Sequence, residues 1–353
     1  VAATPSLPPV PERAQPAPPA LPLSVLDQLW LAGERERYLA QALPQARALG
    51  GEAPLASADL TLVTRCASVL AEQAEASGDS ARAAEALQLW ELAANEQDPQ
   101  AQMALGLWQA RMKADGRRIA VAGGSANFKK AIRWLGLAGE QGLADAWYAL
   151  SRIYIKPEFS QRNVDDAQRY LERAASMGHR AAQLECGNHA WRARRENENN
   201  DVRAIYWLQK AAAQGCLQAA AALQKIAPRT AADGFAAMVA QLPPGLASSH
   251  PLLAARLQLA ALFGLTRAET LLLDVIAADQ GHCLVLDIRA SYGRSKRRLV
   301  AIASAQERQA LDLIVEQFRA APAEGNYRQR LYRLKTVLPD MAGEEECAYE
   351  LAA

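Results

Sequence analysis

Net charge is almost absent from this chain: 39 Lys and Arg stand against 38 Asp and Glu, a formal +1 over 353 residues. That balance excludes a protein whose whole surface coats nucleic acid or membrane. Aromatic residues are scarce at 6%, although half of all residues are hydrophobic. The excess is alanine and leucine, the composition of close-packed helices. The five cysteines (Cys66, Cys186, Cys216, Cys283, Cys347) form no C-x-x-C pair, and their number is odd. A disulfide framework is therefore not expected, and reduced thiols in a cytoplasmic setting are. The longest apolar stretch, "LLAARLQLAALFGL", carries Arg256 and is too short to span a bilayer, so no membrane partner is expected. No basic segment followed by an apolar run marks a signal peptide.

Chemical signatures are equally sparse. G-x-x-x-x-G-K-[ST], G-x-S-x-G and H-E-x-x-H do not occur, which removes the common phosphate-loop, hydrolase and metalloprotease motifs. His179, Cys186 and His189 are the nearest approach to a metal-ligand cluster, but they lack a second paired ligand. Neither metal nor cofactor nor small-molecule substrate is expected, and the chain reads as a non-enzyme.

What is present is a repeat. Residues 1–22 hold eight prolines and read as an extended arm, because proline fixes φ and removes a backbone donor. Residues 23–79 turn helical and read as degenerate N-terminal repeats that cap the array. Between 80 and 227, four 21-residue blocks align without gaps, starting at Ala86, Ala131, Ala167 and Ala204. An aromatic follows each opening alanine by three or four positions (Trp90, Trp134, Tyr170, Trp207), on the same helix face. Small residues come at offsets seven and eight, where a neighbouring helix must approach closely. Glycine stands at offset eleven in three blocks (Gly142, Gly178, Gly215), suited to a left-handed helix stop, while the first block has Gln97. A second helix then begins. Helix, glycine turn and helix at a period near 36 define an α-solenoid.

The run A-x-x-W/Y-L-x-x-A-A-x-x-G-x-x-x-A resembles the Sel-like repeats, relatives of the tetratricopeptide repeats. That resemblance implies a scaffold for assembly or signalling, with protein partners on the solenoid surface. The aromatics are expected in the core between repeats, touching no ligand. Loop charges such as "RARRENENND" (192–201) are the candidates for partner contact.

Residues 228–250, rich in Pro, Gly and Ser, read as a linker, and 251–339 as a small α/β domain. There Thr266 and Glu269 form a capping box, "CLVLDI" reads as a strand, and "KRRLVAIA" can return as its partner. A second reading makes "IRASYGRSKRRLVAI" a helix-turn-helix, with Gly293 in the turn and Ser295 as N-cap. The order helix, helix, hairpin, helix over 252–338 resembles a degenerate half of a tyrosine recombinase catalytic domain. Gly264, Leu265 and Glu269 match that family, but Thr266 holds the place of its first catalytic arginine, and Arg267 comes one position late. The resemblance thus implies DNA contact without chemistry, and with it a link to a mobile element. Residues 251–339 carry thirteen cations against eight acids. DNA contact through 287–302 would use Arg289, Arg294, Lys296, Arg297 and Arg298, with Arg267 nearby, chiefly on phosphates. Residues 340–353 hold five acids and no base, and their "ELAA" resembles a bacterial degradation tag.

Overall fold

The computed structural model describes residues 23–49, 54–119, 125–228, 245–288, 297–321 and 325–337. The expected Pro-rich arm and acidic tail lie outside them, as do Arg289, Arg294 and Lys296. The fold is a mainly helical repeat solenoid with one two-stranded hairpin near the C-terminus. It divides into two compact units, residues 1–177 and 178–353, so the division falls within the repeat array. Among the described residues no helix is long and apolar enough to cross a membrane.

The first unit contains α1 (Leu23–Leu31), α2 (Arg35–Ala48), α3 (Ser57–Ser77), α4 (Ser80–Asn95), α5 (Pro99–Gln109), α6 (Phe128–Glu140), α7 (Ala144–Tyr154) and α8 (Val164–Ser176). Sequence signals start and stop these helices. The side chains of Asp79, Asp98, Asn127 and Asn163 accept backbone N–H groups at the helix starts, and Pro99 follows its cap at the first helical position. One buried cluster runs from Leu26 in α1 to Trp108 in α5. Thus helices α1–α3 share a core with the first repeat.

The repeat turns show why glycine recurs. Gly142, Gly178 and Gly215 have φ of 100°, 96° and 79°. Gln97 occupies the same turn with φ 67°, where a Cβ crowds the backbone. Gln97→Gly should therefore raise stability by about 0.5–1 kcal/mol, the steric relief exceeding the added unfolded-chain entropy. Urea denaturation of the two proteins checks this.

The second unit contains α9 (Arg180–Arg192), α10 (Asn200–Ala213), α11 (Leu217–Ile226), α12 (Pro251–Phe263), α13 (Arg267–Leu272), β1 (Cys283–Asp287), β2 (Arg297–Ala301), α14 (Ala305–Ala320) and α15 (Tyr327–Val337). Single helical turns stand at Leu246–Ser249 and Val275–Ala278. Strands β1 and β2 pair antiparallel, with Cys283 opposite Ala301 and Asp287 opposite Arg297. The second strand occupies the place where a recognition helix would begin, so the hairpin reading holds over the helix-turn-helix.

Both faces of this hairpin are covered, which its apolar run foreshadows. Cys283, Val285 and Leu299 cluster with Ile205 and Ala227 of the last repeat. Leu284, Leu286 and Val300 cluster with Phe263, Leu311 and Ile314 from α12 and α14. A two-stranded ribbon has little stability alone, and here the two helical layers supply its core. Burial pushes the Cys283 thiol, like that of Cys66, up to about 12, which leaves both unreactive.

Candidate functional site

Within each repeat the structure separates two positions that share a face in the sequence. The leucine at offset four is core: Leu135, Leu171 and Leu208 are buried. The aromatic one position earlier, Trp134, Tyr170 or Trp207, is only half-buried. The first copy reverses the order, and Trp90 is buried against Trp108 with ring centroids 5.9 Å apart. The expectation that all four aromatics are core holds fully for Trp90, while Trp134 packs half-buried against the same cluster and Tyr170 and Trp207 are half-buried. One residue's shift turns a side chain by about 100° around the helix, enough to bring its edge to the surface. These aromatics lie among cations and other rings. Arg133 sits 5.4 Å from the Trp134 ring, Tyr170 stacks on Trp147 at 5.6 Å, and Trp207 meets Tyr206 edge-on at 4.9 Å.

Close approach between repeats depends on glycines that carry ordinary helical φ. A Cβ on Gly106 would lie 2.7 Å from Leu135 Cγ, and one on Gly187 would lie 2.7 Å from Leu208 Cγ. Both pairs place the offset-four leucine of one repeat into the offset-twenty glycine of the preceding one. A Cβ on Gly139 would meet the Trp147 indole at 2.5 Å, and the Trp147 Nε1–H donates to the Gly139 carbonyl at 2.9 Å.

A polar contact repeats with the same logic. Gln141 Nε2 donates to Gln102 Oε1 at 2.7 Å, and Gln214 Nε2 donates to Gln183 Oε1 at 2.8 Å. In each case offset ten of one repeat reaches offset sixteen of the one before. Gln102 and Gln183 are buried, and Gln102 Nε2 also donates to the Ala94 carbonyl. Gln102→Leu should cost about 0.5–1.5 kcal/mol, the net worth of the lost bonds, since the Ala94 carbonyl keeps the Gln97 N–H at 3.1 Å and the Gln141 side chain is open to water. Chemical denaturation is the readout. This Gln ladder escaped the sequence reading, although its offsets were visible in the aligned blocks.

The basic stretch meets its partners on the last repeat and on α13. Arg297 Nε donates to Asp201 Oδ2 at 2.8 Å and Nη2 to Asp201 Oδ1 at 2.9 Å, with a further bond to the Glu198 carbonyl. Asp287 lies 3.6 Å from Arg297 Nη1 on the opposite strand. Arg298 Nε and Nη2 donate to the two oxygens of Glu269 at 2.6 and 2.8 Å, and Nη2 also donates to the Gly264 carbonyl. Burial pushes the Glu269 carboxyl up, yet the Arg298 guanidinium and the Thr266 N–H outweigh it and hold the group below its ordinary 4.5. Arg267 is half-buried at the first position of α13.

Further bonds fasten the hairpin to α10. Gln209 Nε2 donates to the His282 and Ile302 carbonyls at 3.2 and 3.0 Å, and His282 Nε2 lies 2.9 Å from the Val202 carbonyl. The loop 192–201 exposes Arg192, Arg195, Glu196 and Glu198, as expected of it, and is anchored at its end. Asp201 at its end is buried, and Asn200 Nδ2 donates to the Ala193 carbonyl at 2.9 Å. His179, considered above as a metal ligand, caps α9 by accepting the Ala182 N–H at 3.0 Å.

Residues 99–143, 144–179 and 198–216 match the Sel1 repeat family. The middle of this chain is thus similar to Sel1 repeats. Two solved structures are similar at low identity. A Sel1 repeat protein from Oxalobacter formigenes is 18% identical, with a TM-score of 0.40 over 69% of this chain and 91% of its own. The protective antigen c5321 of uropathogenic Escherichia coli, described as displaying an SLR fold, is 19% identical, with a TM-score of 0.34 over 89% of this chain and 71% of its own. No curated protein matches this chain.

The Sel1 matches end at residue 216, before the hairpin, and none of these matches supports the likeness of 252–338 to recombinases. Of the six cations assigned to DNA contact, Arg297 and Arg298 are engaged by carboxylates on two contacts each. Phosphate would have to displace partially buried, bidentate partners to use them. In structural terms these two arginines tie the hairpin to the last repeat and to α13.

Proposed function

We propose that this protein is a non-catalytic protein-interaction scaffold that acts through its Sel1-like repeats. Sel1 repeat proteins generally serve in that way, and the observation that carries the reading here is the recurrent half-buried aromatic. Trp134, Tyr170 and Trp207 stand at the same position of successive repeats, each of them half-buried. Rigid aromatics with neighbouring cations are the side chains that concentrate binding energy at protein interfaces. The leucines beside them hold the repeat together, so the two tasks of core and contact are divided between adjacent residues.

The test is an affinity capture with the whole chain, followed by measured binding of the purified partner to wild type and to the triple variant Trp134→Ala, Tyr170→Ala, Trp207→Ala. Each truncated hot spot costs about 2 kcal/mol, so a contact through even one of them weakens binding by about thirtyfold. Circular dichroism confirms that the variant keeps its helices. A partner that binds wild type and a well-folded triple variant equally would remove the aromatics from the interface.

A further inference from the structure

We propose that the cleft at the start of α12 is a binding site for a small amphiphile with an apolar body and one carboxylate head. The cavity has a volume of about 590 Å³. That is within the range of small-molecule sites, roughly 300–1,000 Å³. Its apolar wall comes from Leu252 and Leu253 in the first turn of α12 and from Ala320 and Ala321 at the end of α14. Such a wall favours a hydrocarbon chain or ring over a sugar or nucleotide.

The polar groups around it point to an anion. Arg256, Arg330, Arg333 and His250 line the same cleft, and no Asp or Glu is among the described lining residues. Arg256 is 2% exposed, and its Nη1 donates to the Thr270 and Leu273 carbonyls at 2.6 and 2.9 Å. Its guanidinium also stands 5.0 Å from the Phe318 ring. These contacts hold the guanidinium in a fixed position at the cleft wall. Arg330 is oriented by a bond from Nη1 to the Leu271 carbonyl at 2.8 Å, and Arg333 lies exposed on the next turn of α15.

Two observations at the helix start agree with this. His250 occupies the N-cap position of α12, and its side chain caps nothing. Its Nδ1 is buried and has no hydrogen-bond partner. A buried polar atom without a partner costs about 1–3 kcal/mol, which a bound carboxylate or carboxylic acid would recover. The amino end of a helix thirteen residues long adds its own positive potential at the same place. A carboxylate head suits the fork of an arginine, and the apolar wall beside it suits a hydrocarbon body.

The experiment is calorimetric titration of the whole chain with laurate, 1-dodecanol and dodecyltrimethylammonium, all below their micellar concentrations. Laurate should bind about tenfold tighter than dodecanol, the value of one charge-assisted contact, and the cation should not bind. Arg333→Glu, on an exposed position, should reduce laurate affinity about tenfold or more while leaving dodecanol unchanged. His250→Phe should also narrow the preference for laurate. With the unaltered chain, rising salt should weaken laurate and spare dodecanol. Equal binding of all three ligands, absence of laurate binding, or a salt-independent preference would overturn the assignment. Laurate binding that appears only when residues 338–353 are removed would overturn it too, in favour of a site held by the chain's own acidic segment.

Discussion

Arg298→Ala should lower the stability of the unit formed by residues 178–353 by about 3–5 kcal/mol at neutral pH. The arginine is on β2 and its carboxylate partner on α13, with side-chain exposures of 26% and 10%. Removing the guanidinium leaves the Glu269 carboxylate in a poorly solvated place, with only the N-cap contact from Thr266 left to it. Glu269→Gln should cost less, since it removes the charge along with the partner's attraction. Their double variant should be less destabilised than the sum of the singles.

Acidification supplies an independent sign. The folded-state pKa of Glu269 lies below its ordinary 4.5, so the carboxylate's contribution is fully present above that value. It is lost as pH falls through the folded pKa. Wild type and Arg298→Ala should therefore differ most at neutral pH and converge in acid. Urea midpoints measured from neutral pH down to about pH 3 would show this. A constant gap across that range would mean that the arginine acts through packing alone.

Leu208→Ala should cost about 2–5 kcal/mol, and Gly187→Ala about 1–3 kcal/mol, for opposite reasons. Leu208 is fully buried and fills the hollow over Gly187. Shortening it leaves a cavity between α9 and α10, while a Cβ on Gly187 pushes Leu208 Cγ from 2.7 Å. Because each change meets the other's defect, the double variant should be more stable than additivity predicts, by at least about 0.5 kcal/mol. Denaturation of all four proteins closes the cycle. Strict additivity would show that the two residues do not share the contact. Gly106 and Leu135 form the same arrangement in the first unit and should respond alike.

Both predictions rest on pairings that are far apart in the chain, and there the sequence and the structure part ways. The repeat period, the glycine stops at Gly142, Gly178 and Gly215, the capping box at Thr266 and the strand character of "CLVLDI" arise from local physics. Helix spacing, left-handed turns and side-chain caps are properties of a few neighbouring residues. Even Gln97 could be marked as the odd member of its set before its φ was known.

Distance in the chain hides the rest. Trp134 and Leu135 are both apolar and adjacent, and only the docking of the next helix decides which one is core. Arg297 and Arg298 read as a solvated or phosphate-facing pair because Asp201 lies 96 residues from one and Glu269 lies 29 from the other. Charge is visible in a sequence, but its neutralisation requires two segments to meet. By itself the sequence determined a helical repeat array followed by a basic hairpin. Tertiary structure alone decided that this hairpin is packed on both faces, with two of its arginines turned inward. The physical reason is that burial and ion pairing are properties of surfaces brought together by folding, whereas helix, turn and strand are chosen locally.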